Sequence, residues 1–151
     1  MGLDMYLKKK TYVKNWEHTT PEMRHEIIVK KNGVLHPGIK PERISNIVED
    51  IGYWRKANAI HQWFVDNVQN GVDECQESYV DPEKIKELLE ICKKVKENHS
   101  LAEELLPTQN GFFFGSTKYD DWYFKDIDNT IKILESTLNE KEGDFYYHSS
   151  W

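Results

Sequence analysis

The sequence predicts an α+β fold: a small antiparallel sheet with about three main helices packed on it, residues 1–151 forming a single domain. Three observations predict it. Leu3, Met5 and Leu7 alternate with Asp4 and Tyr6, the two-residue period of a half-buried strand. Later stretches place apolar residues at the three- and four-residue spacing of amphipathic helices. Aromatics reach 13% of a 151-residue chain, enough apolar surface for a real core and too much for a disordered polymer.

After the first strand, residues 11–22 read as a loop closed by Thr20-Pro21. Glu26–Val29 and Val34-Leu35 flank Lys31-Asn32-Gly33, and Asn-Gly supplies the positive φ angles of a tight hairpin turn. Pro37 and Pro41 end that hairpin. Residues 43–51, with Ile44, Ile47, Val48 and Ile51, fit either a short helix or a strand.

Three helices are expected next. The first spans Tyr53–Gln69 and stops at Asn70-Gly71. Asp81-Pro82 supplies a cap and a first-turn proline for the second, which runs to about Asn98 with Ile85, Leu88, Leu89, Cys92 and Val95 inward. The third runs from about Asp120 to Lys141 on Phe124, Ile127, Ile131, Leu134 and Leu138. Between them, Phe112–Phe114 reads as a short buried strand between glycine turns. Asp144–Trp151 is aromatic enough to be a last strand.

The 53–69 segment carries the most information about function. Trp54, Ala57, Ile60, Phe64, Val65 and Val68 form its core arc, and beside that arc fall Arg55, Asn58, Gln62, Asp66 and Gln69. On the second helix, by contrast, every exposed position is Lys, Glu or Asn, as a solvated face requires. Amides and an Arg support a helix less well than Lys and Glu, but they suit fixed donors that meet a ligand's acceptors. Arg55, Asn58 and Gln62 are therefore candidate ligand-binding residues, with Trp54 as a stacking aromatic. His61, inside the apolar arc, reads as a structural, hydrogen-bonded histidine. The Thr108–Thr117 segment adds Thr108, Gln109, Asn110, Ser116 and Thr117, polar groups on glycine turns whose backbone N–H groups can hold a phosphate. Trp63 lies off the core arc and calls for cover. Trp122 and Ile133 share a face opposite the core stripe, which points to partner contact, with a second copy of the chain among the options.

Several function classes are disfavoured. A net charge of −6 opposes general nucleic-acid binding. The six histidines show no HxH, HExxH or HxxxH spacing, so no metal is expected. Neither a Gly-x-Ser-x-Gly elbow nor a Walker A string occurs, and no catalytic residue or cofactor is assigned. The Lys8-Lys9-Lys10 run reads as an exposed strand end. Cys75 and Cys92 form no CxxC pair, and the opening residues show neither a secretory leader nor a myristoylation motif, which together favour the cytoplasm. No stretch approaches the ~20 apolar residues of a membrane helix.

In combination, Met-Gly-Leu-Asp-Met-Tyr-Leu at the start, Gly52–Phe64, Leu106–Tyr119 and the final Ser149-Ser150-Trp151 resemble a family of small proteins encoded by phages and prophages. The family has no assigned activity, so the resemblance implies a setting, an infected bacterial cytoplasm, and no catalytic residues. Three functions are expected to compete. The first is a non-catalytic binder that sequesters a small anionic ligand, a nucleotide immune signal above all. The second is an interaction module that inhibits a host enzyme through Trp63, Trp122 and Trp151. The third is a small nucleotide-processing enzyme.

Overall fold

A computed structural model describes residues 2–151. The chain runs β1 (Asp4–Tyr12), the short strands β2 (Lys30–Lys31) and β3 (Val34–Leu35), β4 (Asn46–Arg55), α1 (Asn58–Asn67), β5 (Ser78–Val80), α2 (Pro82–Glu97), the single turn α3 (Ala102–Leu105), α4 (Asp121–Leu138) and β6 (Asp144–Ser150). The fold is α+β, as expected. Four strands form one sheet in the order β4-β1-β6-β5, every neighbouring pair antiparallel, and β2-β3 form a separate hairpin.

Alternation along β1 builds the core. Leu3, Met5 and Leu7 are fully buried, and Phe145 and Tyr147 of β6 join them from the same face. Ile60 and Phe64 of α1, Ile85, Leu88, Cys92 and Val95 of α2, and Ile127, Ile131 and Leu134 of α4 close over that face. Burying each of these side chains is worth roughly 1.5–3 kcal/mol. The ring of Phe64 stacks on that of Tyr147 at 4.0 Å. Alternate residues put Tyr6, Tyr53, Tyr79, Tyr146 and His148 on the opposite face, which no helix covers.

Many local signals worked as read. Asp81 accepts a hydrogen bond from the Glu83 amide ahead of Pro82, and the five apolar residues foreseen for α2 are all buried. Asp120 caps α4 through the Tyr123 amide. Asn32 and Gly33 take φ of 57° and 79° at the hairpin turn.

Other expectations need correction. The segment read as one helix from Tyr53 is two elements. Tyr53, Trp54 and Arg55 finish β4, paired with Tyr6, Met5 and Asp4 of β1. The chain then turns through Lys56 at φ 55°, and α1 starts only at Asn58. Trp54 mimicked a helical core position because a strand residue pointing inward meets the same core. The open choice at 43–51 resolves as β4 from Asn46.

Phe112–Phe114 is no strand; it is a turn in which Phe112 is 81% exposed and only Phe114 is buried. Two residues assigned to partner surfaces are covered within the chain. Trp63 is buried edge-on to Phe64, and Ile133 packs against the sheet over Gly52. Lys9 is not part of an exposed strand end. It is buried at the sheet margin, its ammonium 2.8 Å from Glu140 and 3.7 Å from Glu49.

Candidate functional site

Ending β4 three residues later than the helix reading allowed has a chemical consequence. It places the N-terminus of α1 at Asn58, directly beneath the loop that precedes α4. Ala57 occupies the cap position and offers no side-chain acceptor, and the first turn carries no acid. The leading amides of a helix have no intrahelical partner and carry the positive end of its dipole. They are therefore available to an anion.

The residues of this first turn line a cavity of about 340 Å³. Arg55, Lys56, Ala57, Asn58, Ala59 and Ile60 form one wall. Thr108, Gly115, Ser116 and Lys118 form the second, and Asp120, Trp122, Tyr123, Asp126 and Ile127 the third. The volume falls in the lower part of the range typical of small-molecule sites.

Asn58 builds the loop wall. Its Nδ2 donates to the carbonyls of Phe114 (3.1 Å) and Ser116 (2.9 Å), and its Oδ1 accepts from the Gln109 amide at 2.9 Å. Thr108 Oγ1 donates to the Thr117 carbonyl at 2.9 Å, closing the loop on itself. Gly115, at φ +91°, adopts a backbone conformation that side chains rarely take, and a Cβ there would come within a tight 3.1 Å of Lys56 Cβ, so glycine lets the loop rest closely on the β4–α1 turn. Tyr123 Oη donates to the Leu106 carbonyl at 2.7 Å and ties the loop's first residue to α4.

Charge is divided across the cavity. Lys56, Lys118 and Arg55 lie on the α1 and loop walls; Arg55 is also 3.3 Å from Asp4. Asp120 and Asp126 lie on the α4 wall. Burial, with the neighbouring Asp120 charge, raises the Asp126 carboxyl from the ordinary 3.8 to about 6. Trp122, 72% exposed, stands at the rim.

The candidate residues divide accordingly. Arg55, Asn58, Thr108 and Ser116 come together around the cavity. Gln62 does not join them; it lies further along α1, where its Nε2 donates to Asp66 at 2.9 Å. Trp54 is a core residue, its Nε1 donating to Thr130 at 2.8 Å, and cannot stack on a ligand from there. Gln109, Asn110 and Thr117 belong to the same loop but do not line the cavity. The sequence does not single out Lys56, Lys118 and Asp126, and its reading assigns Trp122 to partner contact. The available signal was Asn58 itself, a residue type that favours helix starts.

His61 is structural, as expected. Fully buried, it bridges Tyr147 Oη at 2.7 Å and Asp73 at 2.9 Å. The other oxygen of Asp73 accepts from Trp151 Nε1 at 3.1 Å, so the network fastens the C-terminal strand to α1 and the 68–77 loop. Burial and the Asp73 charge push the Tyr147 hydroxyl well above its ordinary value, which keeps it a neutral donor or acceptor.

Comparison with models of protein families, with curated proteins and with solved structures finds no match. No helix among the described residues is long and apolar enough to cross a membrane.

Proposed function

We propose that this chain binds a small anionic, nucleotide-like ligand in the cavity and holds it without turning it over. The observation that carries this reading is the cavity's polarity: uncapped helix amides, Lys56 and Lys118 on one side, two carboxylates on the other. A phosphate fits the first side, where helix amides and ammonium groups supply donors. It does not fit the second, where Asp120 and Asp126 would repel it. Carboxylates there suit a group rich in N–H donors, such as the edge of a nucleobase. Trp122 at the rim adds a ring on which a base can stack, typically worth about 1–3 kcal/mol. In the phage setting that the sequence resemblance implies, such a protein would sequester a nucleotide-derived immune signal.

The test is a panel of cyclic nucleotides and ADP-ribose derivatives, read by thermal shift and by mass spectrometry of ligand released on denaturation. At least one member should raise the melting temperature and return chemically intact, and Lys118→Glu should weaken its binding at least tenfold. No shift across the panel would sink the proposal. Recovery of an altered molecule would favour the nucleotide-processing enzyme instead.

A further inference from the structure

Between β1 and β4 the chain leaves the body of the molecule. From Lys14 to Ile51 no residue is buried, although the segment carries 3-10 turns at Pro21–Met23 and Pro41–Arg43 and the β2-β3 hairpin. The hydrogen bonds of residues 14–45 close within the segment or on the adjoining strand ends. The Asn15 side-chain amide brackets the His25 backbone, Nδ2 donating to its carbonyl at 2.6 Å and Oδ1 accepting from its amide at 2.9 Å. Arg24 donates to the Trp16 and Thr19 carbonyls, and the Val13 amide donates to the Ser45 carbonyl. Ordering a chain costs conformational entropy that only burial repays. This arm nevertheless exposes Trp16, Met23, Ile28, Val34, Leu35 and Ile39, with Val34 and Leu35 at the hairpin tip 66% and 69% accessible. Apolar residues gathered on an ordered arm mark a contact surface.

Charge and an uncovered surface elsewhere on the chain point to what meets it. From Lys14 to Ser45 there are six basic residues (Lys14, Arg24, Lys30, Lys31, Lys40, Arg43) and four acids (Glu17, Glu22, Glu26, Glu42), a net charge of +2. The whole chain carries −6, so the remainder carries −8. Overall the weakly basic arm and the strongly acidic body attract each other, although the charges on the ring-bearing face itself are mixed, with Lys8 and Lys10 lying over Tyr6 and Tyr146. The body also presents the helix-free face of the sheet, where Tyr6 lies 5.3 Å from Tyr53 and Tyr79 lies 5.9 Å from Tyr146. Within one chain the arm leaves its own apolar residues and the rings of Tyr53 and Tyr79 exposed.

We infer that a second copy of this chain docks here, the arm of each copy lying across the ring-bearing sheet face of the other. A two-fold arrangement satisfies both surfaces at once, because each copy supplies one arm and one face. The test is light scattering coupled to size exclusion, on the full-length protein and on two surface variants. Wild type should run at twice the 17.9 kDa chain mass. Both Val34→Asp/Leu35→Asp and Tyr79→Ser should weaken the dimer at least tenfold while keeping the wild-type circular dichroism spectrum. Raising salt from 50 to about 500 mM should also weaken it, since opposite charges are screened. A wild-type monomer up to about 100 µM, where even a dimer constant of about 1 µM would leave most chains paired, would overturn the inference, as would a dimer indifferent to the arm variant. A dimer sensitive to the arm but not to Tyr79→Ser would overturn the assignment of the sheet face.

Discussion

Asp126 sits where α4, a second acid and the cavity meet, and its protonation links the site to folding. In the unfolded chain it titrates near 3.8; in the folded chain burial and Asp120 raise it to about 6. Between those values the folded state holds more proton than the unfolded one, so stability falls as pH rises through that window. Two units amount to about 3 kcal/mol, and the cavity's contact with solvent reduces that to roughly 1–2 kcal/mol. Asp126→Asn removes the penalty. In urea denaturation the variant should lose about 1–2 kcal/mol less than wild type between pH 4 and pH 7; parallel losses would show that Asp126 ionises as freely folded as unfolded. The residue was invisible as a site candidate because, on a helix wheel, one Asp among many has no distinguishing mark. Its neighbours across the cavity come from other elements. Asn58 was legible, since an amide beside an apolar arc is costly unless something uses it, but what uses it is the 109–116 backbone.

β4 and α4 meet over Gly52, and that contact sets the register of the edge strand. β1 pairs Leu7 with Gly52 but Lys8 with Asp50, so Ile51 is the extra residue of a bulge. A Cβ at Gly52 would lie 2.6 Å from Ile133 Cγ2, closer than packed atoms tolerate, and a tight 3.2 Å from Leu7 Cβ. Gly52→Ala should therefore destabilise the protein by about 1–3 kcal/mol through overpacking, lowering the melting temperature by roughly 3–10 °C. An unchanged melting temperature would mean that α4 can move off the strand at no cost. The same neighbourhood shows what the sequence made legible. β1, α2 and α4 were readable because each has one buried face and one wet face, so pattern and environment agree. The Tyr53–Arg55 end of β4 was not. Trp54, Ala57 and Ile60 fit a helical spacing by coincidence, and only the pairing with β1, a contact nearly fifty residues distant, decides that Trp54 is in a strand. That misreading hid the site, because the helix end that defines the anion-binding wall lies inside the segment taken for one helix. The Phe112–Phe114 turn misled for the opposite reason: three apolar residues suggest burial, yet only Phe114 enters the core.

At the scale of the molecule, an acidic body with a continuous core carries an ordered arm that has none. Pattern reading found the Asn32-Gly33 turn in that arm but could not show that its flanking apolar residues face outward, since a two-stranded hairpin looks the same whether or not a third layer covers it. The difference in burial should be measurable as a difference in local stability. Opening a segment that buries nothing costs far less than opening the core, and proteases cut where opening is cheap. Trypsin is a fair probe because cleavable basic residues are plentiful in both regions: Arg24, Lys30, Lys31 and Arg43 in the arm, and Lys86, Lys93, Lys94 and Lys96 on the exposed face of α2. Mass spectrometry of early digests should place the first cuts between Arg24 and Arg43 and leave α2 and α4 intact. When opening is fast relative to cleavage, the rate follows the population of the open arm. An arm held by a second copy should then be cut more slowly as protein concentration rises, by mass action. First cuts within α2 would mean that the arm is stable without cover. Arm cleavage at one rate across a hundredfold range of concentration, with the dimer forming within that range, would mean that association does not secure it.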